Sequence, residues 1–356
     1  MTIKIREGVP LSTHTTIGLG GDARYFTTCE SVDEIKEGLH FCTKKGIPLQ
    51  VIGAGSNVIF SDLGFDGLLM KPALRGVIEE ESGDSTWVTA QAGENWDDLV
   101  QYCISHDCAG IECLSGIPGL VGATPIQNVG AYGQEVSDTI VKLSALDRKT
   151  GKSVEFTNAD CQFEYRQSRF KSNDLNRYII LSVTFRLRKH GRPEIRYAEL
   201  RNYLASHVEL DALEVGRPKL EAVRTSVLAL RKRKSMVLDL TDPNTRSVGS
   251  FFMNPVLTPH QFEELKNLWL RSGHGDSIPT FSARGGTKVP AGWLVENAGY
   301  HKGFRKGGSG ISSNHALALV NYGGTTAELL ALADEIQEAV RTRFGILLER
   351  EPIVIT

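Results

Sequence analysis

Pro48-Leu49-Gln50-Val51-Ile52 runs directly into Gly53-Ala54-Gly55-Ser56-Asn57, and Val58-Ile59-Phe60 follows. The flanking runs are short and apolar, as buried strands are. A glycine pair after a strand suggests the dinucleotide-binding turn of a doubly wound sheet. That turn needs a third glycine where Val58 stands, and a helix where strand-like residues follow. The stretch therefore reads strand, loop, strand and argues against that fold. The loop's backbone N–H groups suit a pyrophosphate, with Ser56 and Asn57 adding donors. A purely structural turn fits the pentapeptide equally well.

Working outward, residues 31–47 carry a helix. Ser31 is its N-cap, Glu34 completes a capping box, Ile35, Leu39 and Cys42 form an apolar stripe, and Gly46 ends it. Downstream come strands at 68–70 and 87–90, a helix near 95–106, and strands at 139–147 and 178–188. Further helices are expected at 218–234, 259–269, 289–297 and 325–343, and a final strand at 352–355. The class is α+β with mixed sheets and no internal repeat. The breaker-rich run Arg188-Lys189-His190-Gly191-Arg192-Pro193 marks an expected domain boundary.

The 356 residues are 41% hydrophobic and 23% charged, with a formal net charge of −2. This is a globular composition with no electrostatic case for nucleic acid or an anionic membrane. No window approaches the roughly 18 apolar residues that span a bilayer, and the first residues lack the apolar core of a signal peptide. The six cysteines, at 29, 42, 103, 108, 113 and 161, form no Cys-x-x-Cys pair. Reduced, buried thiols, no metal and a cytoplasmic location are the expectation, with small molecules as partners and a monomeric state.

Two further stretches invite chemistry. Residues 113–138 form a long Gly/Pro/Asn-rich segment, and loops of this length inside compact domains are usually functional. Paired with the first glycine loop it is suited to gripping one dinucleotide, with Ile117, Pro118, Val121 and Ile126 as an apolar wall; a ligand-free Ω-loop is the alternative. In Ser247-Val248-Gly249-Ser250-Phe251-Phe252-Met253-Asn254-Pro255, glycine permits a turn, two phenylalanines anchor it, and Pro255 stops the ladder. One serine hydroxyl is then held in an apolar bend. A capped strand end is the structural alternative.

Taken in order, Gly53 to Asn57, Gly116-Ile117-Pro118-Gly119 with Pro125 to Gly133, Tyr165-Arg166-Gln167-Ser168-Arg169-Phe170-Lys171, Gly249 to Pro255, and Ala291-Gly292-Trp293-Leu294 resemble the UDP-N-acetylenolpyruvoylglucosamine reductase family. The glycine loops are shared with a wider vanillyl-alcohol-oxidase/PCMH-like group of FAD proteins. The arginine and serine runs are specific to the reductase.

The resemblance implies a two-part FAD-binding domain over 1–190, with subdomains of about 1–70 and 71–190. A smaller α+β substrate-binding domain over 191–345 and a tail, 346–356, returning to the active site follow. It implies non-covalent FAD, NADPH as hydride donor, and reduction of the enolpyruvyl group of a UDP-sugar in peptidoglycan precursor synthesis. Cofactor contacts fall on Gly53, Ala54, Gly55, Ser56, Asn57, Ser115, Gly116, Ile117, Pro118, Gly119, Gly122, Ala123, Gln127, Asn128, Gly130, Ala131 and Tyr132. Arg166 is assigned to the substrate carboxylate, since its planar fork matches it, and Ser250 to protonation of the enolate. Glu351 is the third catalytic partner, with Glu349, one strand period away, as runner-up. Tyr132, Tyr165, Tyr197, Arg231, Lys234, Asn254, Lys302 and Asn314 are substrate-binding candidates. Tyr197 assigns the chain to the branch with a tyrosine loop. Arg231 and Lys234 are equally compatible with a solvated basic face. The tail lacks the arginine common in the family after the glutamate. A flavin oxidase of the same fold and a non-enzymatic sugar-nucleotide binder are the competing readings.

Overall fold

The computed structural model describes residues 3–273, 277–283 and 285–356. The chain packs as two compact units. The first comprises Met1–Val9, Asp22–Gly55 and Phe65–Val237; the second comprises Pro10–Gly21, Ser56–Gly64 and Leu238–Thr356.

Among the described residues, the first unit holds two larger sheets and a two-stranded ribbon in which Gly130–Ala131 pairs with Gln134–Glu135. One is four-stranded, in the order Arg6–Pro10, Asp22–Cys29, Phe65–Pro72, Leu49–Val51. Its last two neighbours pair in parallel, as does Asp22–Cys29 with Phe65–Pro72. Helix α1 (Val32–Lys45) lies against it. Ser31 accepts the Glu34 N–H and Gly46 closes the helix in the left-handed region, as expected. The Glu34 carboxylate, however, reaches the N–H of Glu30 rather than that of Ser31. Gly38 lets the helix sit low on the sheet: a Cβ there would lie 2.3 Å from Met70 Cε.

The second sheet is antiparallel, in the order Ser153–Thr157, Ile140–Asp147, Tyr178–Lys189, Ser85–Gln91, Val77–Ser82, with Cys108–Ala109 beside the end of the long strand. Helix α2 (Trp96–Ser105) packs on it, capped by Asn95. Leu146, Ile179 and Leu181 from this sheet share a core with Tyr25, Leu68 and Met70 from the first.

Helices α3 (Ala198–His207) and α4 (Arg217–Arg233) also belong to this unit. Leu200, Leu204, Val223, Val227 and Leu230 bury against Cys113, and Leu220 enters the core with Trp96. The compact units therefore divide the chain differently from the boundary expected near 190. The breaker run ends a strand there, and the apolar face of α4 carries the chain back onto the same core. Helix α3 carries only the buried pair Leu200 and Leu204, too weak a stripe to reveal it in the sequence.

The second unit contains α5 (Pro259–Arg271), α6 (Ala291–Asn297), α7 (Thr326–Phe344) and two small three-stranded sheets. Ile17, Leu19 and Ile59, from two early segments of the chain, lie in its core. The Asp62 carboxylate accepts the first N–H groups of α7, from Thr326 at 2.8 Å and Ala327 at 2.9 Å, where the helix dipole favours an anion. The final strand Ile353–Ile355 pairs in parallel with Val58–Phe60. The class is α+β, as the sequence predicts.

Candidate active site

In the first unit, the strand Leu49–Val51 leads to Ile52, whose N–H donates to Met70 O at 2.9 Å. Gly55 then adopts φ +69°, a conformation glycine enters without the penalty of a Cβ. Among the described residues, the N–H groups of Gly53, Ala54 and Gly55 have no protein hydrogen-bond partner. Three neighbouring unpaired donors suit a group rich in anionic oxygen. A Cβ at Gly53 would lie 3.3 Å from Ala123 Cβ, so the two glycine segments meet here. Ser56 and Asn57 belong to the second unit, where the Asn57 carbonyl accepts Ile353 N–H at 3.0 Å and its Nδ2 donates to Glu351 O at 3.3 Å.

The second glycine segment is built differently. Gly116 N–H donates to Asp97 Oδ1 at 2.6 Å, Gly122 N–H to Ala92 O at 2.9 Å, and Ala123 N–H to Leu120 O at 3.0 Å. Its glycines serve close approach. A Cβ on Gly116 would lie 2.6 Å from Leu228 Cδ2 of α4, and one on Gly122 would lie 2.5 Å from Ala92 Cβ. The Gly119 carbonyl accepts Trp96 N–H. Ser115 is fully buried and donates to Glu112 O. The Asn128 side chain makes three protein hydrogen bonds. The Ser115 and Asn128 side chains, expected at the cofactor, thus have partners within the fold. Val121, expected on the apolar wall, is in the core, whereas Ile117, Pro118, Ile126, Gln127 and Ala131 are half-buried. These residues fit FAD. The first loop offers donors for its phosphates, and the second offers a braced, partly apolar edge for its ring. Cys113 is buried, and burial pushes its thiol pKa well up, which disfavours the thiolate a covalent link would need.

Arg166 sits in a tight turn in which Glu164 and Gln167 exchange backbone hydrogen bonds. Its φ is +56°, uncommon for a residue with a Cβ. Nη2 donates to Gly130 O at 2.6 Å, and Nη1 lies 3.5 Å from Asn128 O. The guanidinium carbon is 5.2 Å from the centre of the Tyr165 ring. Ser168 ties the same run to the glycine segment through Ile126 O at 2.6 Å, and Phe170 is buried. The arginine motif is thus a clamp on the second glycine segment.

Tyr132, Tyr197, Arg231 and Lys234 cluster beside it. The two tyrosine rings meet edge to face at 5.6 Å. Lys234 Nζ is 5.9 Å from the Tyr132 ring centre and pairs with Glu199 at 2.6 Å. Glu199, on the α3 that the sequence did not reveal, is a site neighbour missed for the same reason. Burial pushes the Tyr132 phenol up to about 12 and raises that of Tyr197 as well. Arg231 donates through Nη2 to Met236 O, and its buried Nε has no partner among the described residues. Burial lowers its pKa. Arg231 and Lys234 therefore face inward, while Lys232 and Arg233 are exposed.

In the second unit, Gly249 has φ +77° with open space where a Cβ would be. Phe251 and Phe252 are buried in the core, their ring centres 5.2 Å apart. Ser250, half-buried between them and the glycine, has no hydroxyl hydrogen bond among the described residues. The tail runs alongside: Glu351 N–H donates to Phe251 O at 2.9 Å, and Met253 N–H to Glu349 O at 2.9 Å. Glu351 is half-buried next to the serine turn, and Glu349 is exposed. Asn254 Oδ1 accepts Ala291 N–H at 2.8 Å, so that oxygen caps α6. Lys302 and Asn314 are exposed, on segments joined by Gly303 N–H to Ser312 O. Serine, Glu351 and Asn57 form one group in this unit; Arg166 and the tyrosine cluster form another in the first.

Two family models match separate stretches of the chain. A model described as FAD binding domain matches residues 23–157. Another, described as UDP-N-acetylenolpyruvoylglucosamine reductase, C-terminal domain, matches residues 242–355. The chain is 42% identical over 361 residues to the UDP-N-acetylenolpyruvoylglucosamine reductase of Thermobifida fusca (strain YX), covering 100% of this chain and 99% of that protein. It is 43% identical over 352 residues to the protein of the same name from Streptomyces coelicolor, covering 97% and 89%. The crystal structure of the reductase from Thermus caldophilus aligns over 100% of both chains at 22% identity with a TM-score of 0.65, a likeness of fold. No helix among the described residues is long and apolar enough to cross a membrane.

Proposed function

The chain belongs to the UDP-N-acetylenolpyruvoylglucosamine reductase family, and from that premise we propose that it reduces the enolpyruvyl group of UDP-N-acetylglucosamine enolpyruvate to the lactyl group of UDP-N-acetylmuramate. It is a flavin-dependent oxidoreductase. FAD, which the Gly53–Gly55 loop and the second glycine segment would hold, would supply the hydride chemistry, with NADPH as the source of the reducing equivalents. The protein's own residues meet the two remaining needs of such a reduction: stabilising negative charge and delivering a proton.

Hydride addition leaves enolate character beside the substrate carboxylate. Arg166 binds that carboxylate. Its guanidinium is always charged, and its backbone-held fork presents donors in a fixed plane. Ser250 donates its hydroxyl proton to the enolate carbon. A neutral hydroxyl is a weak acid, but the enolate is a strong base, and the buried phenylalanines hold the donor in a low-dielectric turn. If protonated, Glu351 hydrogen-bonds the enolate oxygen, which requires a raised pKa. Tyr132, Tyr197, Arg231 and Lys234 bind the nucleotide end, the cations taking the diphosphate.

One observation carries the reading. The glycine segment within the FAD-binding match itself holds Arg166, through the Gly130 carbonyl at 2.6 Å. A cation fixed to a flavin loop suits a substrate that brings a carboxylate to the flavin. The test is anaerobic. NADPH should bleach the bound flavin, and the enolpyruvyl sugar nucleotide should restore its colour with release of UDP-N-acetylmuramate. Flavin that stays bleached in the presence of this substrate overturns the assignment.

A further inference from the structure

Asn128 ties together three pieces of backbone that meet at Arg166. Its Nδ2 donates to Glu135 Oε2 at 2.7 Å and to Glu164 O at 3.0 Å, and its Oδ1 accepts Ser137 N–H at 3.1 Å. The residue is 1% exposed. Its φ is +46°, a conformation asparagine tolerates better than most residues. Glu164 opens the turn that carries Arg166. The carbonyls that receive the guanidinium are those of Asn128 itself and of Gly130. One amide side chain therefore fixes both the turn that presents the arginine and the strip of backbone that receives it. The fit is close: a Cβ on Gly130 would lie 2.8 Å from Glu135 Cγ and 3.1 Å from Arg166 Nη1.

We propose that Asn128, seated on Glu135, is a positioning residue that sets the Arg166 guanidinium for the substrate carboxylate. The inference rests on the reaction proposed above. Asn128 acts only through Arg166: all three of its side-chain partners belong to the protein. Loss of its hydrogen bonds leaves the arginine charged but loosens the turn and the backbone strip that aim it at the carboxylate. A buried network of this kind specifies one geometry, and removing a member releases it.

The test uses the FAD-loaded enzyme. Asn128→Gly removes the side chain while keeping the left-handed backbone accessible. It is expected to raise KM for the enolpyruvyl substrate on the order of tenfold, about the effect of one hydrogen bond to a charged group. NADPH-driven flavin reduction and the flavin absorption spectrum should be nearly unchanged. In an Arg166→Met background, Asn128→Gly should have no additional effect on KM, because the group it positions is gone. Glu135→Leu should reproduce the KM change, and Glu135→Gln, which keeps an oxygen acceptor for Nδ2, should restore it. Additive effects of Asn128→Gly and Arg166→Met, or parallel loss of flavin reduction, would overturn the proposal. Wild-type KM in Arg166→Met alone would instead remove the carboxylate assignment on which it rests.

Discussion

The turn that carries Arg166 and the turn that carries Ser250 solve the same problem by opposite means. At Arg166 the side chain itself is held: two carbonyls receive the guanidinium, and hydrogen bonds from Asn128 and Ser168 fasten the backbone around it. At Ser250 only the backbone is held. Gly249 supplies the left-handed residue, Phe251 and Phe252 bury side by side in the core, and the hydroxyl has no hydrogen bond among the described residues. The difference matches the proposed chemistry. A cation that orients a carboxylate benefits from a fixed direction, whereas a hydroxyl that gives up its proton must not already donate it to the protein.

The strongest test removes the hydroxyl. Ser250→Ala should slow substrate-driven flavin reoxidation on the order of 10²–10⁴-fold, the usual contribution of a positioned general acid. NADPH-driven bleaching in stopped flow should persist, and loss of both half-reactions would make the residue a structural one. Next comes the anchor. Phe251→Ala should lower stability by about 3–5 kcal/mol, seen in thermal melts, and a near-neutral result would show that burial does not hold this turn. On the polar side, Arg166→Lys keeps the charge and loses the fork. It should weaken kcat/KM for the enolpyruvyl substrate by about 1.5–3 kcal/mol, as for a hydrogen bond to a charged group, with thermal stability little changed.

The same contrast explains what the sequence made legible. Burial-driven features left local signs: the Gly-Ser-Phe-Phe run announced its own turn, and α4 and α7 announced their apolar faces. Strand–loop–strand at residues 48–60 was equally plain. Long-range polar ties left none. Nothing near Asn128 points to Glu164, and nothing near Gly116 points to Asp97, so Asn128 and Gly116 both read as cofactor contacts. The assembly of a compact unit from pieces such as Pro10–Gly21 and Ser56–Gly64 is likewise invisible in composition. It depends on Ile17, Leu19 and Ile59 finding partners far along the chain.

Smaller effects separate the two designs more finely. Gly249→Ala should cost about 1–2 kcal/mol, the penalty of a left-handed residue with a Cβ, because open space surrounds the added methyl. A larger loss of stability in melts would mean that the turn is crowded as well as strained.

Acid distinguishes the scaffolds with no mutation at all. Burial pushes the Asp97 carboxyl up, but the Arg224 guanidinium and the Gly116 N–H together pull it below its ordinary value. Ionised Asp97 therefore stabilises the fold fully above its unfolded pKa of about 3.9, and that contribution fades as pH falls through the lower folded value. Because Asp97 braces the second glycine segment, amides of residues 115–133 should lose hydrogen-exchange protection first on acidification. The serine turn rests on Phe251 and Phe252, which do not titrate, and should hold longer. Asp97→Asn should make the segment's protection lower at neutral pH and less dependent on acid. If both turns open together at the same pH in the wild-type protein, the division into a polar-held and a burial-held turn is wrong.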